Sequence, residues 1–287
     1  MNFGQFLDTG LLDLYFDGQH RFDPKRPKTT ARGDDRQLIV KEIEDEIDRC
    51  FARSAHATLL AGKRAERLGA LIRAMRGWVG EFVAVDRSLT GIGIPTPLEN
   101  GIQLDWATGW PVVPGAGIKG AVRAWAMSPD RTLDELEVAC EEDFVDLFLA
   151  IFGYGPDGEV DEAAAGGIVF HDAWYLPDHR RQPEYRPPMV FDVMTPHYGE
   201  YQKGEGSKGR VAPPADWLDP NPIPFLCVRE GMRLQVGIAP RTPLDDELRE
   251  VAWSWLTGAL SDIGVGAKTA GGFGRFRAPD AGGASGG

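Results

Sequence analysis

Five glycines in eleven residues, at positions 264–274, limit what the chain can fold into more than any other feature does. Glycine takes positive φ angles and has no Cβ, so the backbone can turn tightly and approach another group closely. Successive N–H groups in such a turn can form an anion-binding concavity, and Lys268 and Arg275 add positive charge. We therefore predict that this glycine-rich loop contacts nucleic acid. The predicted contacts are Gly264, Gly266, Lys268, Gly271, Gly272, Gly274 and Arg275.

A second segment, the helix start at residues 114–120 (P-G-A-G-I-K-G), opens a predicted helix over Gly117–Met127. A helix N-terminus offers unpaired N–H groups and a partial positive charge, and both suit a phosphate. The G-x-x-x-x-G-K-[ST] spacing of an ATP-binding loop is absent, and residues 264–274 lack the G-x-G-x-x-G spacing of dinucleotide binders. A tight turn with a solvated Lys119 explains the helix start equally well. The candidate contacts are Gly115, Gly117, Lys119, Gly120 and Arg123.

Residues 195–210 follow a predicted strand over Met189–Met194 and mix tyrosine, glycine and basic side chains. This combination fits contact with an RNA backbone and its bases. His197 follows Asp192 by five residues, so an acid–base pair is one interpretation, because histidine titrates near neutral pH. Base stacking and an ordinary solvated loop are the alternatives. The candidate contacts are His197, Tyr198, Lys203 and Lys208.

His171 and Asp172 are adjacent on a predicted strand over Ile168–Ala173. Neighbouring side chains of a strand point to opposite faces. The two residues therefore cannot act together as a catalytic pair, and we assign no catalytic residue.

The net charge of −12 argues at first against a nucleic-acid binder. Residues 130–162, however, hold twelve acidic residues and one basic residue, Arg131, so the rest of the chain is almost neutral. Other surfaces are therefore free to be basic. The acidic segment either faces a basic partner subunit or keeps the surface hydrated.

The three cysteines, at positions 50, 140 and 227, form no C-x-x-C motif, and no metal-ligand cluster is visible. We therefore predict no metal site and no cofactor. The longest strongly apolar run, residues 147–152, is far shorter than a membrane span, and the N-terminus lacks the order of a secretory signal. We expect a cytoplasmic protein with no membrane partner.

The hydrophobic periodicity predicts an α+β fold. Helical spacing over residues 37–78 indicates two helices broken near Gly62. The order that follows, strand, helix, strand, strand, helix, strand, is typical of a ferredoxin-like core of the RRM type. We expect Ile223–Val228 and Arg233–Ile238 to form a hairpin, and Leu133–Phe152 to form one acidic helix. The predicted units are 1–78 (arm and helices packed on the core), 79–278 (ferredoxin-like domain with a thumb-like insertion at 176–222) and 279–287 (disordered tail).

These segments, in this order, resemble the RAMP superfamily of CRISPR proteins. Its members share ferredoxin-like folds and a C-terminal glycine-rich loop, matched here by Gly264–Gly274. The helix start is similar to the P-G-S-S-I-K-G motif of effector-complex subunits, with Ala116 and Gly117 in place of serines. Residues 167–173 resemble the strand that follows it.

Two more segments narrow the resemblance, which covers residues 78–277. Asp192–Tyr198 with Tyr201, and the W-L-D-P-N-P-I-P-F segment at 217–225, resemble the sixth-subunit family of the type III-B (Cmr) effector complexes. The resemblance implies a non-catalytic subunit that holds the guide RNA near its 3′ end and caps the backbone filament. Its implied partners are guide RNA, target RNA and other RAMP subunits.

Two further classes of function stay open. Another RAMP branch cleaves the CRISPR precursor RNA without metal, and such an enzyme would use His171 or His197 as general acid or base. A pure protein–protein adaptor would need neither the glycine-rich loop nor the helix start for RNA.

Overall fold

The computed structural model describes residues 55–94, 100–155, 163–177, 188–195, 198, 201, 223–241 and 246–279. This part of the chain is α+β, as the sequence predicts. Its helices are α1 (Ala55–Ala74), α2 (Gly115–Ala126), α3 (Glu141–Phe152) and α4 (Asp246–Asp262). Its strands are β1 (Trp78–Ala84), β2 (Val112–Val113), β3 (Gly153–Tyr154), β4 (Ala164–Ala165), β5 (Ile168–Phe170), β6 (Ala173–Leu176), β7 (Met189–Met194), β8 (Ile223–Val228), β9 (Arg233–Pro240) and β10 (Phe276–Arg277).

The main sheet is antiparallel, with the order β10-β1-β9-β6-β2, and β5 also pairs with β9. Helix α2 comes between β1 and β5 in the chain, and α4 comes between β9 and β10. Both helices pack through buried aliphatic and aromatic side chains on one face of the sheet. On β9 the inward side chains are Leu234, Val236 and Ile238, as period-two alternation requires.

Helix α1 covers the opposite face of the same sheet. The Gln235 side chain donates to the carbonyl of Ala65 at 2.8 Å, and a Cβ on Gly237 would meet the Ile72 side chain. The helix passes through Gly62 without a break, so the predicted break there is wrong. A mid-helix glycine costs about 1 kcal/mol relative to alanine, and burial of the neighbouring Ala61 and Ala65 offsets it. The predicted arm and the tail from residue 280 lie outside the described residues.

Strands β7 and β8 form a separate antiparallel hairpin, in register from Met189↔Val228 to Met194↔Ile223. Both strands confirm their predicted bounds, but the predicted pairing of β8 with β9 is wrong, since β9 pairs with β1, β5 and β6. A short apolar run indicates a strand but does not specify which strand pairs with it. The residues between 201 and 223 lie outside the described part.

The helix in the acidic segment is shorter than predicted. Helix α3 begins only at Glu141, and residues 133–137 form turns. Glu137 has a left-handed φ of 57°, and two contacts from α4 hold this turn: the Trp255 indole donates to Leu136 O and the Ser254 hydroxyl to Glu137. Tertiary contacts therefore replace the first half of the predicted helix.

Candidate nucleic-acid interface

The glycine-rich loop is a closed turn that is hydrogen-bonded at both ends. Val265 N–H donates to the carbonyl of Gly274 at 2.9 Å, so the two ends of the loop meet. Ala267 N–H donates to Leu89 O at 2.7 Å, and Gly274 N–H donates to Arg87 O at 2.8 Å. The segment 87–89, which follows β1, therefore fixes the position of the loop. Gly264, Gly266, Gly272 and Gly274 all have positive φ.

Packing explains three of these glycines. A Cβ on Gly264 would lie 2.5 Å from Gly274 O, and one on Gly274 would lie 2.1 Å from Val265 O. A Cβ on Gly266 would lie 2.3 Å from Leu89 O. Gly271 differs, because it is exposed and only the Phe273 ring lies near the position that its Cβ would take. The loop thus combines glycines that close it with one that leaves its surface bare.

Lys268 occupies the middle of the loop in a left-handed conformation, with φ 61° and ψ 26°. Non-glycine residues rarely adopt this region, so the surrounding contacts hold the side chain in place. Its ammonium lies 5.1 Å from the Phe225 ring centroid and 3.5 Å from the Met194 sulfur. Among the described residues no carboxylate pairs with it. A ring and a thioether orient the charge without neutralising it, and the ammonium can therefore receive an anion.

Arg275 follows the loop and is exposed. Its carbonyl accepts from Val85 N–H at 2.9 Å, while the next residue, Phe276, is fully buried and contacts the Tyr175 ring. This alternation directs the guanidinium of Arg275 away from the core beside the loop.

The helix start is more occupied than its sequence predicts. The N–H of Gly115 donates to the Asp172 carboxylate at 2.8 Å, and the N–H groups of Gly117 and Ile118 point to Pro114 O. Gly115 is buried, and a Cβ there would lie 2.2 Å from Phe170 O. A carboxylate therefore already takes a donor that would serve a phosphate.

The two cations of α2 also have contacts inside the protein. Lys119 Nζ donates to the carbonyl of Phe152 at 2.9 Å, at the end of α3, and Arg123 lies 5.4 Å from the Phe148 ring centroid. Gly117 and Gly120 are exposed. Lys119 keeps further N–H donors, because an ammonium has three.

The glycine-rich loop and the helix start lie side by side. A Cβ on Gly117 would lie 3.9 Å from a methyl carbon of Val265. Helix α2 begins within the helix start, and α4 ends just before the glycine-rich loop. The two helices pack against each other, and the Trp125 indole of α2 fills the space at Gly258 of α4. The two motifs thus share one surface, although 144 positions separate Lys119 from Ile263 at the edge of the loop.

His171 and Asp172 do not lie on a continuous strand, because the predicted strand is broken between β5 and β6 at these residues. Burial lowers the pKa of His171, although nearby Asp172 acts in the opposite direction. Its Nε2 is buried without a hydrogen-bond partner. The imidazole is therefore neutral at physiological pH, and its Nε2 atom is shielded from solvent.

Three predicted contacts, His197, Lys203 and Lys208, lie outside the described residues. Tyr198 is half-buried and Tyr201 is exposed. In the described part of the chain, no group of three or more His, Cys, Asp or Glu side chains is placed to hold a metal ion.

Sequence reasoning missed one contact that ties the site together. Arg87 forms an ion pair with Asp192 of β7 at 2.6 Å, and this bond raises the pKa of the guanidinium. Arg87 O also accepts the N–H of Gly274. One residue thus links the β7–β8 hairpin to the glycine-rich loop. No local pattern could reveal it, since the partners are 105 residues apart.

Fold and site together define an α+β protein with an antiparallel sheet and a cation-bearing C-terminal glycine-rich loop. The chain belongs to the RAMP superfamily, whose pattern matches residues 78–277. This match confirms the family that the sequence motifs indicate.

The chain is also similar to individual proteins and solved structures. The chain is 30% identical over 249 residues to the CRISPR system Cmr subunit Cmr6 of Pyrococcus furiosus, covering 72% of this chain and 69% of Cmr6. A chain of the type III-B Cmr-β complex bound to cognate target RNA matches with a TM-score of 0.59 at 20% identity, covering 97% of this chain and 86% of that one. The likeness to the chain of the Cmr-β complex shows a shared fold. The crystal structure of P. furiosus Cmr6 matches at 27% identity with a TM-score of 0.45, covering 71% and 98% of the two chains.

In the described residues, no helix has the length and apolar character that crossing a membrane requires.

Proposed function

We propose that this protein is a non-catalytic RNA-binding subunit of a type III-B CRISPR effector complex in the cytoplasm, and that it holds the guide RNA near its 3′ end and caps the backbone filament. The similarity to Cmr6 supports the complex. The single observation that carries the RNA contact is Lys268, whose ammonium is oriented by Phe225 and Met194 and has no carboxylate partner among the residues that the structure describes.

The core that presents this lysine supports the proposal. The order β10-β1-β9-β6, with α2 and α4 on one face, supports the ferredoxin-like βαββαβ core that we propose. On an RRM-type sheet the helix-free face binds RNA, but here α1 covers that face. RNA is therefore expected at the edge formed by the loops, where the glycine-rich loop and the helix start meet.

The two motifs have different roles in this proposal. The glycine-rich loop, with Lys268 and Arg275, is the main phosphate contact. It recognises the RNA backbone by charge and shape rather than by base sequence. Lys119 and the exposed glycines Gly117 and Gly120 add a neighbouring contact. Residues 195–210 would reach the guide–target duplex or the next subunit.

The geometry favours this scaffold role over the endoribonuclease alternative. A general base must reach the proton that it abstracts and should titrate near the working pH. His171 has a lowered pKa and a shielded Nε2, and neither property suits that task. The second candidate, His197, lies outside the described residues, and a cleavage experiment tests whether it acts as a general acid or base.

The central test is the double variant Lys119→Ala/Lys268→Ala, measured in the assembled complex for guide-RNA affinity over a salt series. Each lost phosphate contact should reduce the slope of log affinity against log salt by about 1. Arg249→Ala is the matched control, because Arg249 lies in the first turn of α4, where it pairs with Asp246, whereas the glycine-rich loop follows the other end of this helix. An unchanged affinity and slope in the double variant would show that the phosphate assignment is wrong.

Two further experiments separate the other functions. The purified protein is incubated with CRISPR repeat RNA in EDTA, and discrete products that disappear in His171→Ala or His197→Ala would replace the scaffold role by cleavage. In the assembled complex, photo-crosslinking should join RNA to residues 114–120 or 264–276. A complex that assembles normally without such crosslinks would identify a protein–protein adaptor.

A further inference from the structure

A second surface of the molecule carries a rigid turn at residues 104–111. The bridge Leu104↔Pro111 closes it, and Asp105 and Trp110 are joined by an N–H···O bond of 2.7 Å. The Asp105 carboxylate accepts from both the N–H and the hydroxyl of Thr108, at 2.9 and 2.7 Å. An aspartate that bonds its own turn in this way fixes the backbone without a ligand.

This turn presents Trp106 to solvent. Its side chain is 79% exposed, whereas the other tryptophans that the structure describes are buried or half-buried. At this exposure most of the ring surface is accessible to a ligand, and the hydrogen-bonded backbone of the turn fixes its position. Exposed aromatic residues on rigid elements commonly serve as contacts for a partner.

The surface next to the turn is basic. The Arg64 guanidinium of α1 lies 3.1 Å from the Asp105 carboxylate and 4.7 Å from the Trp174 ring centroid. Lys63 and Arg67 are exposed within one turn of the same helix, and Glu66 is the one acidic residue of α1. Cations beside an exposed aromatic ring suit single-stranded nucleic acid, because the ring stacks on a base and the cations bind phosphates.

A hydrogen-bonded ribbon connects the turn to the glycine-rich loop. Ala267 bonds Leu89, the N–H of Gln103 donates to Thr90 O at 2.7 Å, and Val112 N–H donates to Gln103 O at 3.2 Å. The turn begins directly after Gln103 and therefore lies one backbone segment away from the segment that anchors the loop. Adjacent segments of a sheet are about 4.8 Å apart, a distance that a few nucleotides of RNA can span.

We infer that Trp106 stacks on an unpaired base of single-stranded RNA, with Lys63 and Arg67 contacting the adjacent phosphates. This inference rests on the proposed RNA-binding function and extends the RNA path from the glycine-rich loop toward α1. RNA is favoured over a protein partner, because the part of α1 that contacts the turn through Arg64 also exposes Lys63 and Arg67.

The test uses the full chain with a fluorescein-labelled, unstructured single-stranded RNA and anisotropy over a salt series. Trp106→Ala should weaken binding by about five-fold or more, since one stacked base contributes at least that much, and should leave the salt slope unchanged. Trp106→Phe, which keeps an aromatic face, should stay within two-fold of wild type. Arg67→Ala should reduce the slope by about 1.

Tyr154→Ala is the matched control, because Tyr154 is another exposed aromatic residue, on β3. Trp106 lies on the surface, so a thermal melt should show that Trp106→Ala is folded. Wild-type affinity in Trp106→Ala would overturn the inference. Lys268→Ala is run in parallel: if it weakens binding and Trp106→Ala does not, the stacking inference fails while the proposed function stands. A wild-type chain that binds no RNA also overturns the inference, and the salt series in the complex then judges the proposed function separately.

Discussion

The glycine-rich loop and the helix start read alike in sequence, since both combine glycines with one lysine, but the structure treats them differently. At the helix start, Asp172 takes the N–H of Gly115 and Phe152 takes a donor of Lys119. In the glycine-rich loop, the partners of Lys268 within the described part of the chain are neutral, namely the Phe225 ring and the Met194 sulfur. The comparison teaches that a helix N-terminus and a lysine form an anion site only where the protein has left their charge uncompensated.

The glycines themselves divide in the same way in both segments. Gly115, Gly264 and Gly274 are required because another backbone carbonyl lies where a Cβ would be. Gly117, Gly120 and Gly271 have open surroundings by comparison. The first group closes the structure and the second leaves room for a ligand, so substitutions in the two groups should separate folding from binding.

The largest expected effect is on stability at the closed end of the loop. Gly274→Ala should lower the free energy of unfolding by about 3 kcal/mol or more, because it combines a left-handed φ of 72° with a Cβ 2.1 Å from Val265 O. Gly120→Ala is the matched control and should raise stability by about 0.5–1 kcal/mol, since it is an exposed helical glycine with open space around it. Urea unfolding measures both, and equal stability of the two variants would refute the division of the glycines.

The next effect compares the two lysines. Lys268→Ala should weaken RNA binding in the complex more than Lys119→Ala does, because Lys119 spends one donor on Phe152 O. We expect the full loss of about 1 in salt slope for Lys268→Ala and a smaller loss for Lys119→Ala. Lys268→Arg should restore the slope. A larger effect at Lys119 would reverse the order of the two motifs.

A smaller effect is expected at Asp172. Asp172→Asn keeps a side-chain oxygen for the N–H of Gly115 but removes the negative charge beside the helix start. If RNA passes this point, its affinity should rise by about two- to five-fold at low salt, the size of one helix-terminus charge effect. Asp172→Ala, which removes the bond as well, should cost about 1 kcal/mol of stability. An unchanged RNA affinity in Asp172→Asn would place the RNA away from the helix start.

The smallest effect is a pH dependence behind the helix start. Burial places the folded pKa of His171 below its ordinary value of 6.5, so the unfolded chain takes up a proton first as the pH falls. The stability that this neutral imidazole contributes is present above pH 6.5 and is lost as the pH falls toward the folded pKa. His171→Gln should flatten the decline of stability between about pH 6.5 and pH 5 in urea unfolding. An equally steep decline in the variant would assign the dependence to other groups.

Much of the fold was predictable because its signals are local. The bounds of β7 and β8 follow from short apolar runs, and α4 follows from helical spacing before the glycine-rich loop. The pairing of β8 with β7 was not predictable, since neither strand encodes its neighbour. The acidic turn at Glu137 was also missed, because contacts from α4 hold it.

The sequence alone determined which residues could bind an anion: a run of glycines around Lys268 and a helix start carrying Lys119, in the order of the RAMP superfamily. Only the tertiary structure decided which of these charges is uncompensated. Asp172, Phe152, Phe225 and Met194 are all distant in the chain from the groups that they contact. Composition and spacing state the charges of the side chains, but electrostatic free energy depends on distances and burial, which exist only after folding.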